Sequence, residues 1–283
     1  MQYLLLILVI ILVSAQSVFQ KQYNLKVKNP NVFMFSGFLS LSAMLFFIIS
    51  SGFKISFNSE FLPYSVGFGI SYTAALIGTV YAIRYGSLAI SNLVVSYSLL
   101  IPTLYGVIIL KDDVSFLAYL GVLLLLISIF LLNAKKSEMK FTIKWIIYAI
   151  IAFVGNGMCS TFQKMEQIRF DGAYKNEFMI AALVVAVVIL FIMALIQKEK
   201  REKNELKLCI KLASISGIAN GLANFLVMFL TGAMPNVVLY PSISAGGIVL
   251  SFFIAIFAYK EKLHKIQIVG YILGVISVIL LNI

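Results

Sequence analysis

Polar side chains stand inside long apolar stretches of this sequence, and the chemistry they offer is hydrogen bonding to a small solute. Asn220 and Asn224 are four residues apart, so a helix places their amides on one face, one turn from each other. Amides and hydroxyls in apolar surroundings must face protein or a water-filled cavity. The deep polar candidates are Asn92, Ser96, Tyr97, Asn156, Asn220, Asn224, Tyr240 and Ser244. For each of them, hydrogen bonding between helices is the competing interpretation.

A short motif that closes two apolar stretches supplies four more candidates. Residues 17–21 read SVFQK and residues 160–164 read STFQK, with four of five positions identical at a separation of 143. Lys21 and Lys164 are candidates for contacting an anionic substrate or a gate at either side of a cavity. The alternative is that both lysines extend their ammonium groups to the lipid headgroups. Gln20 and Gln163 are candidates either for substrate binding or for capping helix carbonyls.

Residues suited to catalysis or metal binding form no constellation in the sequence. Cys159 and Cys209 form no CxxC pair and His264 stands in a basic stretch, so we predict no disulfide, no metal site and no cofactor. The acidic residues are all expected in loops or at the ends of apolar stretches, which leaves no carboxylate inside the membrane as a proton carrier. They are Glu60, Asp112, Asp113, Glu138, Glu166, Asp171, Glu177, Glu199, Glu202, Glu205 and Glu261. With no nucleophile, metal ligands or paired carboxylates in a span, the protein is predicted not to be an enzyme.

The elements that must hold these candidates are membrane-spanning helices. The chain is 61% hydrophobic and only 12% charged, whereas a soluble domain is about a quarter charged. The apolar runs are long and do not alternate, which favours helices over a barrel. We predict an all-α membrane protein with ten transmembrane helices at residues 3–20, 32–51, 62–83, 87–110, 115–133, 144–163, 178–197, 208–231, 236–258 and 265–282.

The two halves of the chain resemble each other. Residues 111–133 match residues 260–282 at a separation of 149. The identical residues of the first half are Lys111, Gly121, Leu124, Ile127, Ser128, Leu131, Leu132 and Asn133, and those of the second half are Lys260, Gly270, Leu273, Ile276, Ser277, Leu280, Leu281 and Asn282. An odd number of spans per copy inverts the second copy, so the sequence predicts an inverted 5+5 repeat, an arrangement found in many secondary transporters. The predicted units are residues 1–133, a basic linker at 134–143, and residues 144–283.

Two pairs of turns resemble those of the drug/metabolite transporter superfamily, and within it the EamA-like ten-span transporters. The short turns 84–87 (RYGS) and 233–236 (AMPN) precede spans four and nine. The turns 110–114 (LKDDV) and 259–263 (YKEKL) are similar to the family's Gly-Glu-Arg/Lys-Leu signature, with lysine in place of glycine and, in the first half, aspartate in place of glutamate. The resemblance implies a helical basket whose central cavity is lined mainly by spans one to four and six to nine, with spans five and ten peripheral.

The sequence therefore predicts a secondary transporter for a small polar or amphipathic metabolite in the cell membrane. The alternative is a membrane-embedded protein without transport activity, such as a lipid-handling enzyme or a sensor subunit. The net charge of +11 lies in short runs between apolar blocks, which argues against a nucleic-acid partner. The expected partners are the lipid bilayer and the small-molecule substrate, with the chain acting as a monomer or a weak homodimer.

Loop charges predict the orientation of the chain. The loops after the odd-numbered spans carry 17 Lys and Arg residues, and the opposite side holds five. Short cytoplasmic loops are enriched in Lys and Arg. We therefore expect the basic loops in the cytoplasm and both termini outside, although relatives of the resembled family are usually described with both termini in the cytoplasm.

Overall fold

The fold is an assembly of long helices joined by short turns. A computed structural model describes residues 2–27, 30–56, 58–85, 98, 100–111, 115–133, 142–197, 203–257 and 265–281. The helices of the first half are α1 (Gln2–Lys26), α2 (Val32–Ser50), α3 (Leu62–Tyr85), α4 (Leu100–Tyr105, followed by a π-helical turn at Gly106–Leu110) and α5 (Phe116–Asn133). Those of the second half are α6 (Ile143–Phe170), α7 (Lys175–Ile196), α8 (Lys203–Thr231), α9 (Asn236–Phe257) and α10 (Lys265–Leu281).

These helices confirm the prediction of an all-α membrane protein. Five helical stretches of the described residues are long and apolar enough to cross a membrane: Val32–Ser50, Ser59–Ala82, Ile143–Phe170, Lys175–Ile196 and Asn204–Thr231. Four shorter apolar helices, among them Gln2–Gln16 and Ile268–Ser277, accompany them. One prediction was wrong. The QK motifs do not close their helices, because α1 continues to Lys26 and α6 continues to Phe170.

Polar residues define several helix ends. Asn31 accepts a hydrogen bond from the backbone N–H of Met34 at 2.8 Å and begins α2, and Thr142 accepts from the N–H of Trp145 at 3.2 Å and begins α6. Lys111 ends the π-helical turn with φ +56°, in the left-handed region. Lysine stands here where the resembled signature has glycine, and only glycine adopts this conformation without steric cost.

Glycines let the helices approach at backbone distance. A Cβ on Gly155 of α6 would lie 2.7 Å from the backbone nitrogen of Ala75 of α3. A Cβ on Gly221 of α8 would lie 2.8 Å from the Phe46 ring of α2. A core of Phe47, Phe68, Phe178 and their neighbours fills the space between α2, α3, α6, α7 and α8.

Helices α5 and α10 pack along each other through a reciprocal pair of hydrogen bonds. The Ser128 hydroxyl donates to the carbonyl of Gly270 at 2.6 Å, and the Ser277 hydroxyl donates to the carbonyl of Gly121 at 2.8 Å. Both serines are 0% exposed. In the repeat alignment Ser128 corresponds to Ser277 and Gly121 to Gly270, so each helix makes the same contact to the other.

Candidate functional site

One face of α6 carries a stripe of polar groups. Asn156, Ser160, Gln163 and Gln167 follow one another at intervals of four, three and four residues, which is the spacing of a single helix face. Helices α3, α4, α7, α8 and α9 contact or hydrogen-bond to α6. The stripe therefore lies at the meeting point of helices from both halves.

A chain of amides connects three helices at this face. The Gln163 side-chain NH₂ on α6 donates to the side-chain oxygen of Asn224 on α8 at 2.8 Å. The Asn224 NH₂ donates to the backbone and side-chain oxygens of Asn220 at 3.0 and 3.1 Å. The Asn220 NH₂ donates to the side-chain oxygen of Gln16 on α1 at 3.1 Å. Four amides thus form one directional chain of hydrogen bonds from α6 through α8 to α1. We call these four residues the amide chain.

Two further hydrogen bonds reach the stripe from α9 and from the segment before α4. The Tyr240 hydroxyl donates to the backbone carbonyl of Ser160 at 2.9 Å, and the Asn156 NH₂ donates to the Ser98 hydroxyl oxygen at 2.7 Å. Tyr240 is buried, whereas Asn156 is half-buried. Ser244, one turn after Tyr240 on α9, is half-buried as well.

The side chain of Lys164 is covered by protein. Its side chain is 9% exposed, and its ammonium donates to the backbone carbonyl of Thr231, the last residue of α8, at 2.7 Å. The C-terminal carbonyls of a helix lack partners within the helix and carry partial negative charge. Lys164 therefore binds the end of α8, whereas the headgroup interpretation expected a side chain extended away from the protein.

Glu166 is more buried than its sequence suggested. It was expected in a loop or at the end of a span, and it sits in the last turns of α6 with a side chain that is 0% exposed. Among the described residues, neither carboxylate oxygen has a donor in full hydrogen-bond geometry, although the backbone N–H of Tyr174 acts on this carboxyl group. The neighbouring Gln167 side chain lies between two turns, close to Gly172 after α6 and Gly232 after α8.

At this end of the molecule, Ser50, Ser56 and Asn58 of the first half bind residues at the start of α7 in the second half. The backbone N–H and hydroxyl of Ser56 both donate to one carboxylate oxygen of Glu177, at 3.1 and 2.9 Å. The Asn58 NH₂ donates to the Tyr174 hydroxyl oxygen at 3.3 Å. The Ser50 hydroxyl donates to the side-chain oxygen of Asn176 at 2.9 Å. We call these contacts the inter-half tie.

Of the predicted site residues, the structure brings Gln163, Asn220 and Asn224 together in the amide chain and places Asn156, Lys164 and Tyr240 in hydrogen bonds around α6. Gln20 and Lys21 lie within α1, but their side chains fall outside the described residues. Asn92, Ser96 and Tyr97 fall outside the described residues altogether.

Sequence reasoning missed Gln16, Ser98 and Glu166. Gln16 stands one helical turn before Gln20, a spacing that was available as a signal. Ser98 directly follows the predicted Tyr97, but no spacing rule pairs it with Asn156. The sequence did not predict that α6 continues beyond Gln163. It therefore placed Glu166 in a loop or at a span end and did not predict its burial.

Comparison with known proteins gives one family and one fold. Residues 143–283, the second half, match the model of the EamA-like transporter family. No curated protein matches the chain. Among solved structures, one described only as "Crystal structure of protein" superposes with a TM-score of 0.79 at 14% identity, covering 99% of this chain and 95% of that one. At that identity the likeness concerns the fold alone.

Proposed function

Because the chain belongs to the EamA-like transporter family, we propose that this multi-pass membrane protein is a secondary transporter that moves a small polar or amphipathic metabolite across the cell membrane by alternating access. The observation that carries the proposal is the amide chain, which joins α1, α6 and α8 inside otherwise apolar helices. Uncharged groups that donate and accept hydrogen bonds suit a polar solute whose own groups replace these bonds one for one.

In the proposed mechanism, hydrogen bonds to the substrate replace hydrogen bonds within the amide chain. Gln163, Asn224 and Asn220 each donate to the next amide of the chain, so a solute with both donors and acceptors can enter without leaving a buried polar group unpaired. Leaving such a group unpaired costs about 1–3 kcal/mol. The site therefore favours a solute that replaces all of these hydrogen bonds, because a solute that replaces only some of them leaves buried polar groups unpaired.

Alternating access requires two related halves, and we propose ten spans arranged as an inverted repeat of residues 1–133 and 144–283. Inversion exchanges α1 with α6 and α3 with α8. In support, the packing of α1 on α8 has its counterpart in the packing of α3 on α6, and the packing of α2 on α8 has its counterpart in that of α3 on α7. The reciprocal hydrogen bonds of Ser128 and Ser277 support the same relation. Related halves can exchange conformations, so that a site between them opens to each side in turn.

The charge distribution and the composition support a proposed orientation and a lipid environment for the chain. The basic loops lie in the cytoplasm and both termini lie outside, the bilayer encloses the helices, and the chain acts as a monomer or a weak homodimer. A reporter enzyme that works only in the cytoplasm, fused to the C-terminus, is expected to be inactive. Activity of that fusion would reverse the orientation and leave the transport proposal intact.

Counterflow into proteoliposomes tests the function. Vesicles containing the purified protein are loaded with unlabelled compounds from a panel of neutral polar and amphipathic metabolites, and uptake of the labelled compound is measured. We expect saturable uptake of at least one compound and a loss of about fivefold or more in Asn224→Leu, because each substrate hydrogen bond lost costs about 1 kcal/mol or more. Asn204→Leu, at the exposed start of the same helix, serves as the matched control and retains uptake. No uptake across the panel, or equal uptake by Asn224→Leu, would refute the proposal.

A further inference from the structure

Glu166 is a carboxyl group in surroundings that do not support a negative charge. Its side chain is 0% exposed, and among the described residues neither oxygen has a donor in full hydrogen-bond geometry; the backbone N–H of Tyr174 gives it only partial support. An ionised carboxylate without donors is among the most costly groups to bury, whereas the protonated acid is neutral. We propose that Glu166 binds a proton in this conformation and that the proton keeps closed the end of the molecule where the inter-half tie forms. This inference rests on the transport function proposed above and names its coupling ion.

The charges around Glu166 leave it without a dedicated counter-ion. The charged groups of α7 that act on Glu166 are Lys175 and Glu177, which carry opposite charges. The Lys175 ammonium lies over the Phe229 ring, 5.7 Å from its centroid, and the Lys164 ammonium binds Thr231. The residues that connect α8 to α9, 232–235, carry no charge, and Lys54, in the segment before α3, is exposed.

A proton fits this position better than a metal ion. Sodium, calcium and magnesium ions require several oxygen ligands around one point. The described residues contain no group of three or more His, Cys, Asp or Glu side chains able to hold a metal. A single carboxyl group is sufficient for a proton, and a buried ionisable group in a membrane protein is a common element of proton relays.

The first turn of α7 connects Glu166 to the inter-half tie. Glu166 interacts with the backbone N–H of Tyr174 and with the charges of Lys175 and Glu177. Two of them, Tyr174 and Glu177, accept the hydrogen bonds of Asn58 and Ser56. When Glu166 loses its proton, the new charge repels the Glu177 carboxylate and requires water. Water reaches Glu166 when the first turn of α7 moves away from α6. That movement strains the hydrogen bonds of Ser56 to Glu177 and of Asn58 to Tyr174.

The separation can be measured without any substrate. Spin labels on Lys54→Cys and Ala173→Cys, both exposed sites, report the distance between residues 50–58 and the turn that precedes α7. The native Cys159 and Cys209 are buried. Distance distributions are recorded by double electron–electron resonance in liposomes between about pH 5 and about pH 9.

We expect one short distance at acidic pH and a growing longer distance at alkaline pH. The ratio of the two populations should change by up to about tenfold per pH unit, the limit for one proton. Glu166→Gln, which stays neutral, is expected to keep the short distance at every pH. Glu60→Gln, an exposed residue of the same loop region, retains the wild-type response and is the control.

Two results would overturn the inference. One is a wild-type distance distribution that does not change with pH. The other is a Glu166→Gln variant that changes as the wild type does. Either result leaves the counterflow experiment unaffected, since that assay detects exchange of solute at constant pH. Conversely, absence of counterflow together with a pH response that depends on Glu166 would reject the transport function and retain the proton site.

Discussion

Replacing Ser128 or Ser277 by alanine removes one of the two hydrogen bonds that join α5 and α10 at 2.6 and 2.8 Å. The accepting carbonyls, those of Gly270 and Gly121, lie inside helices and keep their helical partners, so neither variant leaves an orphaned group. Polar contacts between membrane helices contribute about 0.6–2 kcal/mol. We expect each variant to lose about 1 kcal/mol of folding free energy.

The two losses should be equal and additive. Gly121 and Ser128 are seven residues apart on α5, about 10 Å along the helix axis, which is far enough for independent effects. The double variant should therefore lose about 2 kcal/mol. Equality is expected because the proposed inverted repeat would give both serines the same environment.

Reversible unfolding in mixed micelles measures these losses, with Ser59→Ala, an exposed serine, as the control that changes nothing. A loss confined to one serine would show that the two positions are not equivalent and would count against the repeat. A double variant much less stable than the two losses combined would show that the contacts are coupled, contrary to our reasoning.

Three further predictions concern single residues, and thermal unfolding in detergent measures each. Lys111→Gly should raise the free energy of unfolding by up to about 1 kcal/mol, since it relieves a left-handed lysine at φ +56°; a loss of stability would contradict this. Gly155→Ala should lower the free energy of unfolding by about 1–3 kcal/mol, because its Cβ meets the Ala75 backbone, whereas Gly247→Ala, with open space around it, should be tolerated. Lys164→Met should cost about 1–3 kcal/mol by leaving the last carbonyl of α8 without its ammonium partner, and an unchanged melting temperature would exclude that contact.

Much of the helical arrangement could be predicted because charges and turn residues interrupt the apolar runs at definite places. The expected span 32–51 corresponds to Val32–Ser50 and the span 236–258 corresponds to Asn236–Phe257. The ends of α1 and α6 were misplaced for a physical reason. A polar motif such as Gln163–Lys164 marks the end of an apolar span that faces lipid, but here α8 covers it, so the helix continues within protein contacts.

The site was predictable in part. The four-residue spacing of Asn220 and Asn224 fixed their common face, and they do bond to each other. Their partners Gln163 and Gln16 come from other helices, and no local pattern states which helices meet. The burial of Glu166 likewise depends on how the turns after α6 and α8 pack, which is a property of the whole fold.

Labelling of a cysteine at the site from both sides of the membrane tests the central claim most directly. Ser244→Cys, one turn from Tyr240 on α9, is exposed to a membrane-impermeant maleimide added to either side of sealed vesicles, against a background of the buried native Cys159 and Cys209. Alternating access predicts labelling from both sides, with transported solute lowering the rate from each. Labelling from one side only, or from neither, would contradict a site that opens to both faces of the membrane.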